Sequence, residues 1–445
     1  MRIVITSWGS YGDVYPYLGL ALALKARGHE PVLAMPGYYR EMVEGAGISF
    51  HAVRPDIDPD DKAWVAALMD PVEGAERLLR EVIVPHVREA YDDLAAAVDG
   101  ADLLVSHPVT FAAPLLAEKR GLRWVSTNLA PMVFFSAHEM PVLPLAPRTV
   151  HLGKLGKWVP RLVVRLAHRI TSGWFAPVHA LRRELGLPPG GHPLFKEQYS
   201  PWLTLALFSK EIGAPQPDWP ANTVATGFIF YNGPDALSPE LQAFLATGPA
   251  PIVFTLGTSA VLAAGSFYHE SAKALALLGM RGVLLVGPDP ANLPPSLPEG
   301  VIAVEMAPHQ LLFPHAAAVV HQGGIGTTSQ AMRAGKPTLV VPHAHDQPDN
   351  AWRVKQRGIS LTLFPKRYRA ERVAAMLREL LGDPGYAARA AVIGARLREE
   401  DGIARACEAL ERVGEENRGQ IPSEKNRDLT PSQEPGSDPI ARTGI

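Results

Sequence analysis

Cysteine is nearly absent. Cys407 is the only one in 445 residues, which excludes an intrachain disulfide framework and a cysteine-built metal centre and fits a reducing cytoplasm. Neither sign of charge dominates. The 43 lysines and arginines against 45 carboxylates leave a formal net charge of −2, not the basic excess of a nucleic-acid-binding chain. No apolar run reaches the roughly 18 residues needed to span a bilayer, so any membrane contact is expected to be peripheral. The opening Met1-Arg2-Ile3-Val4-Ile5-Thr6 is apolar too briefly for a signal peptide and reads as a first strand.

What is present is ample core material. Apolar residues make up 47% of a chain long enough for two domains. Ile3 to Ser7 reads as a strand, Gly9-Ser10-Tyr11-Gly12-Asp13 as a tight turn, and Leu18 to Arg27 as a helix stopped by Gly28. Glu30 to Met35, Leu103 to Ser106 and Arg123 to Ser126 continue as short strands. A second series has strands at Pro251 to Leu256, Val283 to Val286, Ala316 to His321 and Thr338 to Val341. Alternating strands and helices predict parallel sheets covered on both faces, with ligands at the strands' carboxyl ends. The expected division is a first domain over 1–212, a Pro- and Gly-rich linker over 213–222, a second domain over 223–395, a terminal helix over 396–414, and a disordered tail over 415–445.

The strongest motif is His321-Gln322-Gly323-Gly324-Ile325-Gly326-Thr327-Thr328, after a strand and before a helix expected from Thr327 to Ala334. Glycines let a backbone approach a ligand closely, and the unpaired first amides of a helix form an anion site. Thr327 and Thr328 add hydroxyls, and the His321 ring could donate to a phosphate. Such donors stabilise a departing nucleotide diphosphate by a few kcal/mol each, without a metal. An isolated glycine turn would more often only pack helix on strand. The flanking histidine, the threonines and the strand–helix context argue for the phosphate. Gly9-Ser10-Tyr11-Gly12 does not give the dinucleotide fingerprint, and no Walker loop is present. Downstream, Val340 to Asn350 ends a strand at Pro342. Asp346 and Gln347 there could bind sugar hydroxyls, cap a helix, or both. His343, His345 and Asp346 lack a further ligand or supporting shell for a metal, and none is expected.

From His321 to Gly358 the chain resembles the donor-binding signature of family 1 glycosyltransferases, the bacterial macrolide, glycopeptide, sterol and rhamnolipid members above all. Met306-Ala307-Pro308-His309-Gln310-Leu311-Leu312-Phe313 and the loop Gly9 to Pro16 continue the likeness. Ala344-His345-Asp346-Gln347 with Asn350 resembles the rhamnosyltransferase of rhamnolipid synthesis. The resemblance covers most of residues 1 to 410. It implies a GT-B fold, two Rossmann-like parallel-sheet α/β domains facing across a cleft, with donor on the C-terminal and acceptor on the N-terminal domain. It implies an inverting displacement with no metal cofactor. By position, His321, Gly323, Gly324, Gly326, Thr327 and Thr328 would hold the diphosphate, assisted by Thr258 and Ser259. Met306, Ala307 and Pro308 would line the base, and Asp346 and Gln347 the sugar. Met306 stands where plant members have a stacking tryptophan, which leaves uracil and thymine both open.

By spacing alone, Asp13 suits equally a general base and the N-cap of a helix with Pro16 in its first turn. The family likeness assigns it the base. Ser10 would position the acceptor or Asp13, and Phe134, Phe135 and Met140, within 131–144, would line an apolar acceptor pocket if they do not simply pack the core. His51, His107, His138 and His179 read as structural or acceptor-lining. The expected reaction moves a hexosyl group from a nucleotide diphosphate sugar to a hydroxyl of a small lipophilic acceptor such as a sterol or terpenoid, a polyketide or a hydroxy-fatty acyl chain. UDP-glucose leads and dTDP-sugars come second. The rivals are a nucleotide-sugar epimerase and a non-catalytic auxiliary protein of the same fold. Finally, Lys157, Arg161, Arg165 and Arg169 recur every fourth residue beside Trp158, Leu162, Leu166 and Ile170. Such a helix has either a solvated face or a face for anionic lipid at the inner side of the membrane.

Overall fold

The computed structural model describes residues 1–58, 61–143, 158–231, 233 and 236–415. The first sheet contains β1 (Arg2–Thr6), β2 (Glu30–Met35), β3 (Ser49–Ala52), β4 (Leu103–Ser106), β5 (Trp124–Asn128), β6 (Leu203–Ala206) and β7 (Thr223–Ala225). All are parallel, in the order β3-β2-β1-β4-β5-β6-β7. The second contains β8 (Ile252–Thr255), β9 (Gly282–Leu285), β10 (Val301–Val304), β11 (Ala318–His321), β12 (Thr338–Val340) and β13 (Ser360–Thr362), parallel in the order β10-β9-β8-β11-β12-β13.

Strand periodicity explains why both sheets are covered twice. Ile3 and Ile5 enter one core with Leu33, Met35, Leu103 and Val105, while Val4 enters another with Val32, Ala34 and Leu104. In the second sheet Ile252 and Phe254 point to one core and Val253 to the other. Each sheet reverses its winding once, between β1 and β4 and between β8 and β11. Open α/β sheets bind ligands at such a reversal, beyond the strands' carboxyl ends.

Two expectations on organisation change. The 213–222 segment lies between β6 and β7 of the first sheet, so the chain passes to the second domain only after Ala225. Short edge strands carry too little periodic signal to stand out from Pro- and Gly-rich neighbours. The proposed boundary at 395 falls inside the helix Pro384–Glu399. The last helix, Gly402–Glu415, returns to the first domain, where Ala406, Cys407, Leu410 and Val413 pack with Ile3, Leu20 and Leu24. Glu411 there receives Arg27 through two bonds of 2.8 and 2.7 Å. Residues 416–445, Lys157 and Pro144 lie outside the described residues.

The two domains share further contacts. Phe208, Trp219 and Phe228 form one apolar cluster with Met332, Val354 and Ile393. Val65 and Met69, from the helix Lys62–Leu68 and its end, enter the core of the second domain, and Lys62 pairs with Asp289 at 3.0 Å. Buried Arg353 donates to Asp349 (2.6 Å) and pairs with Glu139 (2.9 Å), while Asp349 accepts from the Val142 amide (2.9 Å). Among the described residues no helix is long and apolar enough to cross a membrane.

Candidate active site

Asp13 sits at the reversal point of the first sheet. The helix after β1 runs over Tyr11–Ala26 and begins earlier than the sequence predicts, because Ser10 and Asp13 form a reciprocal capping box. The Ser10 amide and hydroxyl donate to Asp13 Oδ2 at 2.9 and 3.0 Å, and the Gly12 amide donates to Ser10 Oγ at 3.3 Å. Ser10, not Asp13, is therefore the N-cap, and Pro16 lies inside the helix. Gly9 has φ +143°, and a Cβ there would collide with the Asp13 carboxylate. The box occupies Oδ2 and leaves Oδ1 outside it, with the side chain 35% exposed. Enclosure by protein on its other sides raises its pKa to about 6, against the lowering effect of the two Ser10 bonds.

His107 reads from sequence as structural or acceptor-lining, not as a neighbour of Asp13. Thr6 and Ser106 are register partners, so the residues after β1 and β4 leave side by side. This puts His107 Nε2 3.8 Å from Asp13 Oδ1. Burial lowers the His107 pKa to about 3, so the ring is neutral at working pH. The one sequence signal was a histidine directly after a buried strand.

Across the cleft, the reversal point of the second sheet gathers the loops after β8 and β11. Gly257-Thr258-Ser259 leave β8 half-buried, and Gly257, at φ +67°, would strike the Gln322 side chain if it bore a Cβ. The helix after β11 is Ile325–Arg333, and its first internal bond is Thr328 N to Gly324 O at 2.9 Å. The amides of Ile325, Gly326 and Thr327 precede that bond and point out of the helix end. Gly326 is exposed with open space about it, whereas at Gly323, with φ +94°, an added Cβ would stand 2.8 Å from Val340 and 3.0 Å from the Gln347 carbonyl.

His321 is fully buried, and its Nδ1 accepts the Gly323 amide at 3.1 Å. That bond places the ring proton on Nε2, which has no protein partner. Burial, then neighbouring His309, lowers its pKa to about 3 and keeps it a neutral donor. Gln322 Oε1, Thr328 Oγ1, His343 Nε2 and Asn350 Oδ1 are likewise buried without partners. Buried polar atoms are rarely left so, and five within one loop system fit a polar ligand. Thr327 Oγ1 accepts from Gln322 at 3.3 Å.

Asp346 caps the helix Gln347–Gln356 by position without a side-chain cap bond. Its Oδ2 accepts from Asn350 at 2.7 Å, and Asn350 also donates to the Gly323 carbonyl at 3.0 Å. Burial and then the charge of Asp13 raise its pKa to about 7. The Gln347 oxygen accepts from the His343 and Ala344 amides (2.9 and 3.3 Å), which leaves its NH₂ for a ligand. His345 has φ +54°, and its ring bonds the Leu68 carbonyl of the first domain. Met306 is 72% exposed and Pro308 half-buried, whereas the Ala307 side chain is in the core, so only its backbone can face a base. Among the described residues no three histidine, cysteine or carboxylate groups gather to hold a metal.

The expected acceptor residues fare differently. Phe134 stacks on Trp219 at 3.9 Å and on Tyr199 at 5.9 Å, in the shared core, so it packs the fold and does not line a pocket. Met140 is buried too, and Phe135 is half-buried against Phe195. A small pocket of about 30 Å³ lies beside the ends of β1 and β4, lined by Trp8, Val53, Ile83, Val87, Leu94 and Phe111 among others.

A family model described as erythromycin biosynthesis protein CIII-like, C-terminal domain, matches residues 286–409. O-mycaminosyltylonolide 6-deoxyallosyltransferase of Streptomyces fradiae is 34% identical over 93% of this chain and 98% of its own. The chain belongs to the family 1 glycosyltransferases of the macrolide and glycopeptide type. Glycosyltransferase GtfE of Amycolatopsis orientalis is 30% identical over 94% of this chain and 98% of its own. The spinosyn forosaminyltransferase structure superposes with a TM-score of 0.69 at 21% identity, over 94% of this glycosyltransferase and all of that chain (100%). These neighbours share the GT-B fold, so the two facing sheets are those of a GT-B glycosyltransferase.

Proposed function

We propose that this glycosyltransferase moves a 6-deoxyhexosyl group from a pyrimidine nucleotide diphosphate to a hydroxyl of a macrolide or related polyketide. The observation that carries this reading is the pairing of Asp13 with the His321 loop across one cleft. The acceptor hydroxyl gives its proton to Asp13 Oδ1 as its oxygen bonds the anomeric carbon. The bond from that carbon to the phosphate oxygen breaks, and the diphosphate leaves with the electron pair. The amides of Ile325, Gly326 and Thr327 and the Nε2 proton of His321 meet the charge that develops there. Attack opposite the leaving group inverts the anomeric centre. Asp346 and the Gln347 NH₂ would hold sugar hydroxyls, and Thr258, Ser259 and Thr328 the diphosphate.

The pocket beside Trp8 and Phe111 is mostly apolar, but at about 30 Å³ it is far smaller than a polyketide. Its apolar lining favours a lipophilic acceptor over a polar one, and Ser10 would hold the base. The deoxysugar is supported by the name of the Streptomyces fradiae relative and a thymidine diphosphate carrier by the solved complexes of VinC and the spinosyn rhamnosyltransferase SpnG, and together these rank a dTDP-deoxysugar above the UDP-glucose expected from sequence. The test is a donor-by-acceptor matrix: dTDP-, UDP- and GDP-sugars against macrolide aglycones, sterols and hydroxy-fatty acids, read by mass of the product. Product from a dTDP-deoxysugar and a macrolide is expected, unchanged by a chelator. Turnover confined to sterols, or abolished by chelation, overturns the assignment.

A further inference from the structure

The helix Trp158–Thr171 carries a face that the other described residues leave uncovered. Trp158, Leu162, Leu166 and Ile170 are 66, 56, 55 and 61% exposed. Spaced by four, they form one continuous stripe about 18 Å long. Arg161, Arg165 and Arg169 are exposed along its flank, and none has an ion-pair partner among the described residues. No carboxylate follows in the sequence before Glu184. The opposite side anchors the helix: Pro160 is buried, Val163, Val164 and Ala167 are half-buried, and Thr171 Oγ1 lies 3.0 Å from His192 Nε2.

In water this arrangement is doubly unfavourable. An apolar stripe stays wet, and three like charges at a spacing of four repel. A medium apolar below its surface and anionic at it removes both costs. We propose that this helix docks the enzyme on an anionic lipid bilayer. It would lie in the interfacial plane, with the stripe at the acyl boundary and the arginines extended to the phosphates. Charge complementarity selects this occupant, since a second copy of the chain would oppose one arginine row to another.

The full-length chain is sedimented with vesicles of phosphatidylglycerol and phosphatidylcholine in equal parts, and with phosphatidylcholine alone. Binding is expected only to the anionic vesicles and is lost at about 0.5 M salt, where surface charge is screened. The triple variant Arg161→Gln/Arg165→Gln/Arg169→Gln should bind on the order of a hundredfold more weakly. Leu162→Gln/Leu166→Gln should also release the protein from vesicles, with melting temperature and nucleotide binding unchanged. Wild-type protein that stays in the supernatant, or variants that sediment as it does, overturns the proposal. A stripe that instead drives self-association or captures a purified protein without binding vesicles overturns it equally.

Discussion

Asp13→Asn tests the chemistry with little disturbance to the fold. The asparagine oxygen can still accept both Ser10 bonds, now 2.9 and 3.0 Å long, so the capping box survives. Loss of the whole cap would cost only about 1 kcal/mol. What disappears is Oδ1 as a proton acceptor, and a positioned general base is worth about 10²–10⁴ in rate. His107, 3.8 Å away, cannot substitute. Its pKa of about 3 lies some three units below the 6 of Asp13, which makes it about a thousandfold weaker as a base at equilibrium. The variant's kcat is therefore expected to fall by about 10²–10⁴, with nucleotide affinity unchanged by calorimetry. The sign of the pH effect follows from the raised pKa. Wild-type activity should fall as pH drops through about 6, two units above an ordinary aspartate. Folding linkage runs alongside it: burial penalises the ionised form, so this group's contribution to stability declines as pH rises from 3.8 through about 6. A neutral asparagine escapes that penalty, and the variant should melt no lower than wild type at pH 8. Retention of more than about a tenth of wild-type turnover, or a wild-type rate flat between pH 5 and 7, refutes the assignment of the base.

Three further outcomes follow from the donor loop and the domain contact. His321→Ala removes the unpartnered Nε2 donor and should weaken both nucleotide binding and kcat, by about 2.7–4 kcal/mol of transition-state stabilisation if it acts as an oxyanion-type donor; titration calorimetry and single-turnover rates check this. Gly323→Ala places a methyl 2.8 Å from Val340 at φ +94°, and should lower both the melting temperature and the donor affinity measured by thermal shift. Arg353→Met strands the buried carboxylate of Asp349 and should cost about 3–5 kcal/mol in urea unfolding. That loss should be larger at pH 8 than at pH 5, because protonation relieves a carboxylate whose pKa is already raised by burial.

What could be read from sequence was what is contiguous in it. The His321 to Thr328 loop compresses a strand end, a glycine turn and a helix start into eight residues, and the structure keeps them together. The strands Glu30–Met35 and Leu103–Ser106 coincide with their expected limits, because runs of apolar residues bounded by glycine or polar turns fit little else. Residues that converge only through topology stayed hidden. His107 reaches Asp13 through the β1–β4 register, and the apolar pocket draws Trp8, Val53, Ile83 and Phe111 from separate segments. Phe134 shows why apolar composition misled: an aromatic run has the same signature in a pocket wall and in a core, and only the arrival of Trp219 decides between them. The same reasoning separates the two carboxylates. Asp13 and Asp346 lie 333 positions apart, yet the charge of one raises the pKa of the other. Their coupling exists only while the domains face each other, so Asp346→Asn should remove the inflection near pH 7 and leave that near 6 in place. An inflection near pH 7 that survives in Asp346→Asn would mean that Asp346 is not the group that titrates there.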